Sequence, residues 1–423
     1  MPKIVNLALH IRNIYRKVIY RFEAFFQTKP QLNRNQKKLE YVDYLFKNQI
    51  NQNKEDFIEY PENLNVNLDK DDIHLITYYL PQYHPTDENN KWWGKGFTEW
   101  SNVTRTIPYF IGHHQPQLPI DVGFYDLRLI ETQKRQIELA KKFGIFGFCF
   151  YYYWFSGKKI LNKPTENYLN NPKTLNFPYC LCWANHSWSK TWENEDEILI
   201  NQEYLPEDPL KFIKEITPFL KDKRYIKIDG KPLLLIYQPN DMPNPKETFK
   251  IWRNYCRNEG IGELFLINVK TFPEQNPNMY DLDGCAEQPP LSPWPQTIKK
   301  DIEFIDSRAT PLVVDLNKFV NEKLYYDNVD FLQFKGVMNA WDNTARKKQN
   351  GIVYSSSPET YKKWLKDCIY FTKKNMDKNK QFVFINGWNE WAEGAHLEPD
   401  TRYGYGYLKA TADAILETKD IIK

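Results

Sequence analysis

Phe382-Val383-Phe384-Ile385-Asn386-Gly387-Trp388-Asn389-Glu390-Trp391-Ala392-Glu393-Gly394 is the stretch on which the reading of this chain turns. Its apolar run, 382–385, gives way at once to Asn, Trp and two carboxylates, as a buried strand does when it delivers polar side chains from its carboxyl end. Two acids in an aromatic frame suit glycosidic-bond chemistry: one carboxyl protonates the leaving oxygen, the other acts as nucleophile or base, and aromatic rings hold the C–H faces of sugars. The competing reading is that Glu390 and Glu393 are solvated loop acids beside a structural Trp.

Seven more apolar, β-rich runs precede it, at 75–80, 145–151, 179–183, 233–237, 264–269, 284–287 and 336–341. Helical patterns fall between several of them, at 126–143, 209–220, 246–258, 315–325 and 358–374, with 408–416 closing the chain. Buried strands alternating with helices predict a parallel sheet, and eight repeats predict its closure into a (β/α)8 TIM-type barrel over 73–423. The sixth run is the weakest. Polar and aromatic residues collect after the runs, on the face where barrel enzymes keep their sites. Tyr79, Gln82 and His84 follow or end the first, Tyr152 and Trp154 the second, Trp183, Asn185, His186 and Trp188 the third, Glu287 the sixth, and Trp341, Asp342 and Arg346 the seventh. A doubly wound nucleotide fold would show a Gly-rich phosphate turn, and neither G-x-G-x-x-G nor G-x-x-x-x-G-K occurs.

Composition fits this picture. Lys plus Arg number 57 against 54 acidic residues, so a net charge of +3 is too small to imply nucleic acid as a partner. Aromatics make up 16% of the chain, with 13 Trp, which suits a carbohydrate-lined cleft or a large aromatic core. Trp92, Trp93, Trp100, Trp154, Trp188 and Trp192 fall largely in loops above the barrel, where two or three are expected to form a sugar platform. Six scattered cysteines sit in or beside apolar runs, and alternation points Cys180 and Cys182 to one face; no zinc pattern and no cofactor motif follows. Residues 1–72 read as an N-terminal helical extension: a basic amphipathic helix (Ile4, Leu7, Ile11, Ile14, Val18, Phe22, Phe25 and Phe26 among Arg12, Arg16, Lys17 and Arg21), then a polar linker with a short helix at 38–46. With no secretory pattern the expected location is the cytoplasm; residues 1–26 either lie on the inner face of the membrane or pack on the main domain.

Four motifs together carry a family resemblance. Residues 78–84 (Tyr-Tyr-Leu-Pro-Gln-Tyr-His), 93–100 (Trp-Gly-Lys-Gly-Phe-Thr-Glu-Trp), 183–188 (Trp-Ala-Asn-His-Ser-Trp) and 386–394 resemble the WbsX-type proteins. These are encoded in bacterial O-antigen, capsule and other surface-polysaccharide clusters, are commonly labelled glycosyltransferases, and are related to glycoside hydrolase family 99, the endo-α-mannosidase and endo-α-mannanase barrels. The resemblance spans 73–415. It implies that Glu393 is the general acid/base and Glu390 the base that draws the proton from the sugar 2-hydroxyl, giving an anhydro-sugar intermediate and retention. It also implies that Trp341 to Arg346 contact substrate. One position departs: family 99 hydrolases typically carry His where this chain has Ala392, which places mannose specificity and hydrolysis itself outside what the resemblance implies.

The expected partner is therefore an oligo- or polysaccharide. Glu99 and Glu287 are expected near the pocket, with His84, His186 and His396 as hydroxyl partners and Trp100, Trp388, Asn389 and Trp391 framing it. A sugar-nucleotide-dependent glycosyltransferase would want a D-x-D; the one on the barrel body, Asp281-Leu282-Asp283, precedes the sixth run and so falls on the wrong side. A non-catalytic glycan-binding barrel is the third possibility, and it would have no need of both acids. A carboxyl separation of ~5–5.5 Å would mean retention and ~6.5–9.5 Å inversion.

Overall fold

The computed structural model describes residues 34–50, 56–69, 72–190, 197–272, 274–292, 302, 304, 311–327 and 329–419. The basic helix expected at 4–26, and Trp192, lie outside them. No helix among the described residues is long and apolar enough to cross a membrane.

Eight parallel strands close on themselves: β1 (His74–Tyr79), β2 (Gly147–Phe155), β3 (Tyr179–Trp183), β4 (Lys231–Ile236), β5 (Phe265–Lys270), β6 (Gly284–Glu287), β7 (Gln333–Met338) and β8 (Phe382–Asn386). Closure is visible at β1, which pairs with β2 (Tyr78 opposite Cys149) and with β8 (Thr77 opposite Ile385). Every expected run is a barrel strand. The seventh begins three residues earlier than its apolar run, at Gln333, because Gln333 and Lys335 lie in the strand, almost fully buried, and find polar partners there. The second runs on through Trp154 to Phe155 and folds back as a hairpin against Lys158–Ile160.

Alternation sorts the side chains. Tyr78, Tyr151 and Phe384 face the lumen, with ring centroids 5.6 and 5.8 Å from Tyr78, and Cys149, Cys180 and Cys182 gather below them as free thiols. Tyr79, Phe148, Phe150, Tyr179 and Trp183 face the helices. There they meet Tyr168, Phe212, Phe219 and Trp252, for example Trp183 stacked on Phe212 at 4.4 Å. Much of the aromatic content thus fills the layer between sheet and helices rather than a cleft.

Helices cover the outside at Ile130–Lys142, Asp208–Leu220, Pro245–Asn258, Pro358–Asn375 and Gly406–Glu417. Pro358–Asn375 starts with Ser357 accepting from the Thr360 amide and Pro358 in its first turn, a Ser-Pro entry that satisfies one free N–H and omits another. The helix expected over 315–325 stops at Asn321, and the chain then turns through Lys323 at φ 53. Over the mouth a small sheet joins Leu312–Asp315, Ile352–Ser355 and Trp341–Asp342. The helix Arg34–Ile50 reaches the same region, where Tyr44 Oη donates to the His113 carbonyl at 3.0 Å.

Candidate active site

β8 ends at Asn386, and the next residues fold into a tight hairpin on the carboxyl-end face: Asn389–Glu390 pairs with Ala395–His396 around one 3-10 turn, Trp391–Glu393. Gly394 closes the turn at φ 63, and a Cβ there would lie 2.9 Å from the Gln117 side chain and 3.0 Å from Asp342. Glycine alone fits both the conformation and the space. Two anchors fix the hairpin on the barrel rim. Asn389 grips Leu80 through its N–H (2.8 Å) and its carbonyl (3.0 Å), and the Trp391 amide donates to Tyr83 Oη at 3.0 Å.

The turn aims Glu390 and Glu393 at a single guanidinium. Arg346 Nη2 is 2.7 Å from Glu390 Oε1, Nη1 is 2.8 Å from Glu393 Oε1, and Nε is 3.2 Å from Glu99 Oε2. Three carboxylates share one cation in a largely buried site; the side chains of Glu99, Glu390 and Glu393 are 0%, 10% and 23% exposed, so Glu393 is the most open. Burial pushes Glu390 up to about 8; Arg346 opposes this, and the neighbouring Glu393 and Glu99 add to it. Glu393 is raised by the same burial, again opposed by Arg346. Burial raises both carboxyls, and the pair they form holds a proton near neutral pH.

Arg346 is itself positioned. It lies on the short helix Thr344–Lys347, whose start is held by Asp342: Asp342 Oδ1 accepts from the Thr344 amide (3.0 Å) and hydroxyl (2.6 Å), and Oδ2 accepts from Gln115 (2.6 Å) and His113 Nε2 (2.7 Å). His113 Nδ1 accepts from the Tyr109 amide, so Nε2 carries the proton given to Asp342. Burial pushes the Asp342 carboxyl up, but His113 and Thr344 together hold it below the usual range.

Along one edge runs an aromatic wall. Gln82 reaches Tyr153 Oη at 3.5 Å, Trp188 packs edge-on against Tyr153 at 4.8 Å, and Trp92 against Trp188 at 5.9 Å. Trp188 and Trp92 remain half-buried, with surface left for a ligand. Below lies Tyr151, whose hydroxyl accepts from Gln288.

Other expected site residues are placed differently. Tyr79, Tyr152, Trp154 and Trp183 are on the outer face of the sheet: Tyr79 donates to Gln136 at 2.6 Å, Tyr152 packs on Phe212 and Phe219, and Trp154 packs on Trp183. Strand alternation gives the lumen to their neighbours Tyr78, Tyr151 and Tyr153. Glu287 also points outward, to Lys335 (2.8 Å), Gln333 (2.7 Å) and the Gly336 amide (2.9 Å). Asn185 bridges Tyr204 and the Gln238 backbone, and His186 is half-buried against Tyr237. His84 is buried beside Asp126 and Arg128, which leaves it neutral, pushed down to about 4. Trp93 pairs with Phe97 at the rim, and Trp100 packs behind the centre on Tyr83 and Trp391.

Trp388 and Trp391 serve a residue that sequence reading missed. Glu398 is buried and takes four neutral donors: Trp388 Nε1 (3.1 Å), Gln136 (2.6 Å), Trp391 Nε1 (2.8 Å) and Tyr125 Oη (2.8 Å). Both tryptophans are therefore fixed by their N–H groups behind the hairpin and are not open to a ligand. A lone Glu after the motif carries no signal of this, since its four donors come from three separate segments.

The carboxylate cluster thus lies at the carboxyl-end mouth of a (β/α)8 barrel, the face on which barrel enzymes keep their sites. The chain is a member of the WbsX glycosyltransferase family, which matches residues 75–411. It is 39% identical over 349 residues to the protein WxcX of two strains of Xanthomonas campestris pv. campestris, covering 82% of this chain and 50% of that one. The chain thus spans about half the length of the relatives it matches. Among solved structures it is similar to a glycoside hydrolase-like protein (TM-score 0.53, 15% identity, 86% of this chain and 98% of that one). It is also similar to the family 99 endo-α-mannosidase of Bacteroides thetaiotaomicron (TM-score 0.51, 15% identity, 84% and 98%). At that identity the likeness is one of fold.

Proposed function

We propose that this protein cleaves or transfers a glycosidic linkage in surface-polysaccharide assembly, with retention, through Glu390 and Glu393. The observation that carries the reading is the pair itself: two carboxyls held on one guanidinium, both made more basic by burial, so that one can give a proton while the other takes one. Glu393, the more open of the two, is the general acid/base. As Glu390 draws the 2-hydroxyl proton, O2 attacks C1, the C1–O bond breaks and Glu393 protonates the leaving oxygen. Glu393 then deprotonates water or an acceptor hydroxyl, which attacks C1 as the C1–O2 bond breaks, and O2 recovers its proton from Glu390.

A second assignment has its own support: Glu390 is the drier group and the one pushed to about 8, which favours it as the proton donor and Glu393 as the nucleophile or base. Aryl glycosides with good leaving groups separate the two, since only the variant lacking the acid regains activity on them. The transferase alternative draws less support, because Asp283 precedes β6 at the far end of the barrel, where it accepts from Arg253 (3.0 Å) and the Leu266 amide (2.8 Å).

The test is to incubate purified protein with polysaccharide repeat units under chelator and follow products by mass spectrometry. Glu393→Gln and Glu390→Gln should each lose ~10²–10⁴ in rate while still binding glycan. Micromolar binding of a nucleotide diphosphate sugar, with transfer that stops on chelation, would overturn the reading.

A further inference from the structure

A cavity of about 240 Å³ lies on the same face, lined by residues that include Phe110, His114, Trp341, Asp400, Arg402 and Tyr403. Glu390, Glu393 and Arg346 are not among its walls, yet it backs onto them: Asp342 and Gln117 line it, and these are the two side chains that Gly394 abuts. We propose that this cavity is a second subsite, taking one neutral pyranose ring of the glycan whose linkage the carboxylate centre processes; it rests on the function proposed above.

Size comes first. The cavity falls just below the ~300–1,000 Å³ typical of whole drug-sized ligands, which leaves room for about one ring. Its walls alternate aromatic faces with hydrogen-bonding groups, the mixture a pyranose presents in return. Arg402 has no ion pair among the described residues, and Trp341 Nε1, a donor, and His114 Nε2, a donor or acceptor by tautomer, have no hydrogen-bond partner there. On the acceptor side is Asp400. Its Oδ1 takes the amides of Arg402 (2.8 Å) and Tyr403 (2.6 Å), while Oδ2 has only His396 Nε2, at 3.8 Å, too far for a hydrogen bond.

Charge argues for a neutral ligand. Asp342 is saturated by His113, Gln115 and Thr344, which among the described residues leaves one cation, Arg402, facing one carboxyl, Asp400. A carboxylate and a guanidinium on one ring's hydroxyls give charge-assisted bonds without needing a charge on the ligand.

The experiment uses the full chain carrying Glu393→Gln, with and without Arg402→Gln and, separately, Trp341→Phe. Saturation-transfer NMR follows binding of the methyl pyranosides of glucose, galactose, mannose and rhamnose. At least one should bind, about 10-fold more weakly in Arg402→Gln and about 3–10-fold more weakly in Trp341→Phe, with unfolding midpoints unchanged. No binding by any of the four, or equal binding in all three proteins, would overturn the subsite. Turnover by the Glu393-intact chain is scored separately. Unaltered binding and KM in the Arg402 and Trp341 variants of an active enzyme would remove the subsite and leave the function. Binding that both substitutions weaken, in a chain that turns over no glycan, would leave the subsite and remove the function.

Discussion

Glu390→Gln removes the ionisable carboxyl from the drier member of the Glu390–Glu393 pair without changing its shape, and the Gln oxygen can still accept from Arg346. In the unfolded chain this carboxyl titrates near 4.5; in the folded chain burial lifts it to about 8, against the pull of Arg346. Between those values the unfolded state gives up a proton that the native state keeps. Native stability therefore falls as pH rises from about 4.5 to about 8, and the deficit is complete above that. At ~1.4 kcal/mol per pH unit the full span amounts to at most ~5 kcal/mol, and because Glu393 shares the titration about half, ~2–3 kcal/mol, falls to Glu390. Gln has no such proton to lose. Urea unfolding of wild type and variant should give equal stabilities at pH 4.5 and a variant ~2–3 kcal/mol more stable at pH 8.5, while activity is ~10²–10⁴-fold lower throughout. A variant less stable than wild type at pH 8.5, or a gap that ignores pH, would refute the argument by showing that Arg346 stabilises the Glu390 charge more than burial opposes it.

Arg346→Met leaves three buried carboxylates without their cation. It should cost ~3–5 kcal/mol at pH 8 and markedly less at pH 5, where the raised Glu390 and Glu393 carboxyls hold protons; a flat pH response in chemical denaturation would contradict the shared-cation arrangement. Catalysis by wild type should follow a bell-shaped pH profile whose upper limb falls near pH 8 as the pair loses its retained proton, and a rate still rising at pH 9.5 would exclude that proton from the mechanism. Trp188→Ala strips the outer half of the aromatic wall and should raise KM by about 3–10-fold with kcat little changed, so steady-state kinetics with unchanged KM would remove it from the glycan path. Gly394→Ala forces a Cβ against Gln117 and Asp342 at φ 63; it should lower kcat at least ~10-fold and stability by ~1–3 kcal/mol, and an Ala variant with full kcat would mean the turn geometry is dispensable.

Periodicity was readable in the chain; phase was not. Runs such as 179–183 and 382–385 announce themselves because a strand buried on both faces is apolar throughout, so eight of them declare a barrel. The same property hides which face each residue takes. In Tyr151-Tyr152-Tyr153-Trp154 every position is aromatic, and only the closed sheet assigns Tyr151 and Tyr153 to the lumen and Tyr152 and Trp154 to the helix layer. Glu390 and Glu393 stood out because they directly follow an apolar strand run, and Arg346 and Glu99 were expected near the pocket, but that one guanidinium joins the three carboxyls was not legible, since Arg346 comes from a short helix and Glu99 from a separate turn. Glu287 misled for a related reason: as the last residue of a barrel strand it sits at the right height but on the wrong side. Lys335, charged and buried within a strand, masked the start of β7 altogether.

The polar knot around Glu287 has a bearing on how the barrel finds its pairing. β6 is four residues long and β7 mixes polar with apolar positions, so hydrophobic pattern alone pins these strands weakly, and a slip of one residue would turn each side chain to the opposite face. Such a slip would carry Lys335 from its place 2.8 Å from Glu287 and 3.0 Å from Asp327 into a lumen packed with Phe265, Phe334 and Phe384. Lys270, bonded to the same Asp327 and to Gln333 at 2.8 and 2.7 Å, extends the constraint to β5. An unpaired ammonium in an aromatic interior costs far more than any gain from a misaligned ladder. Alternative registers are therefore penalised more than the native one is rewarded, and three neighbouring strands, two of them with little apolar signature, are held in step by charges that have only one place to go.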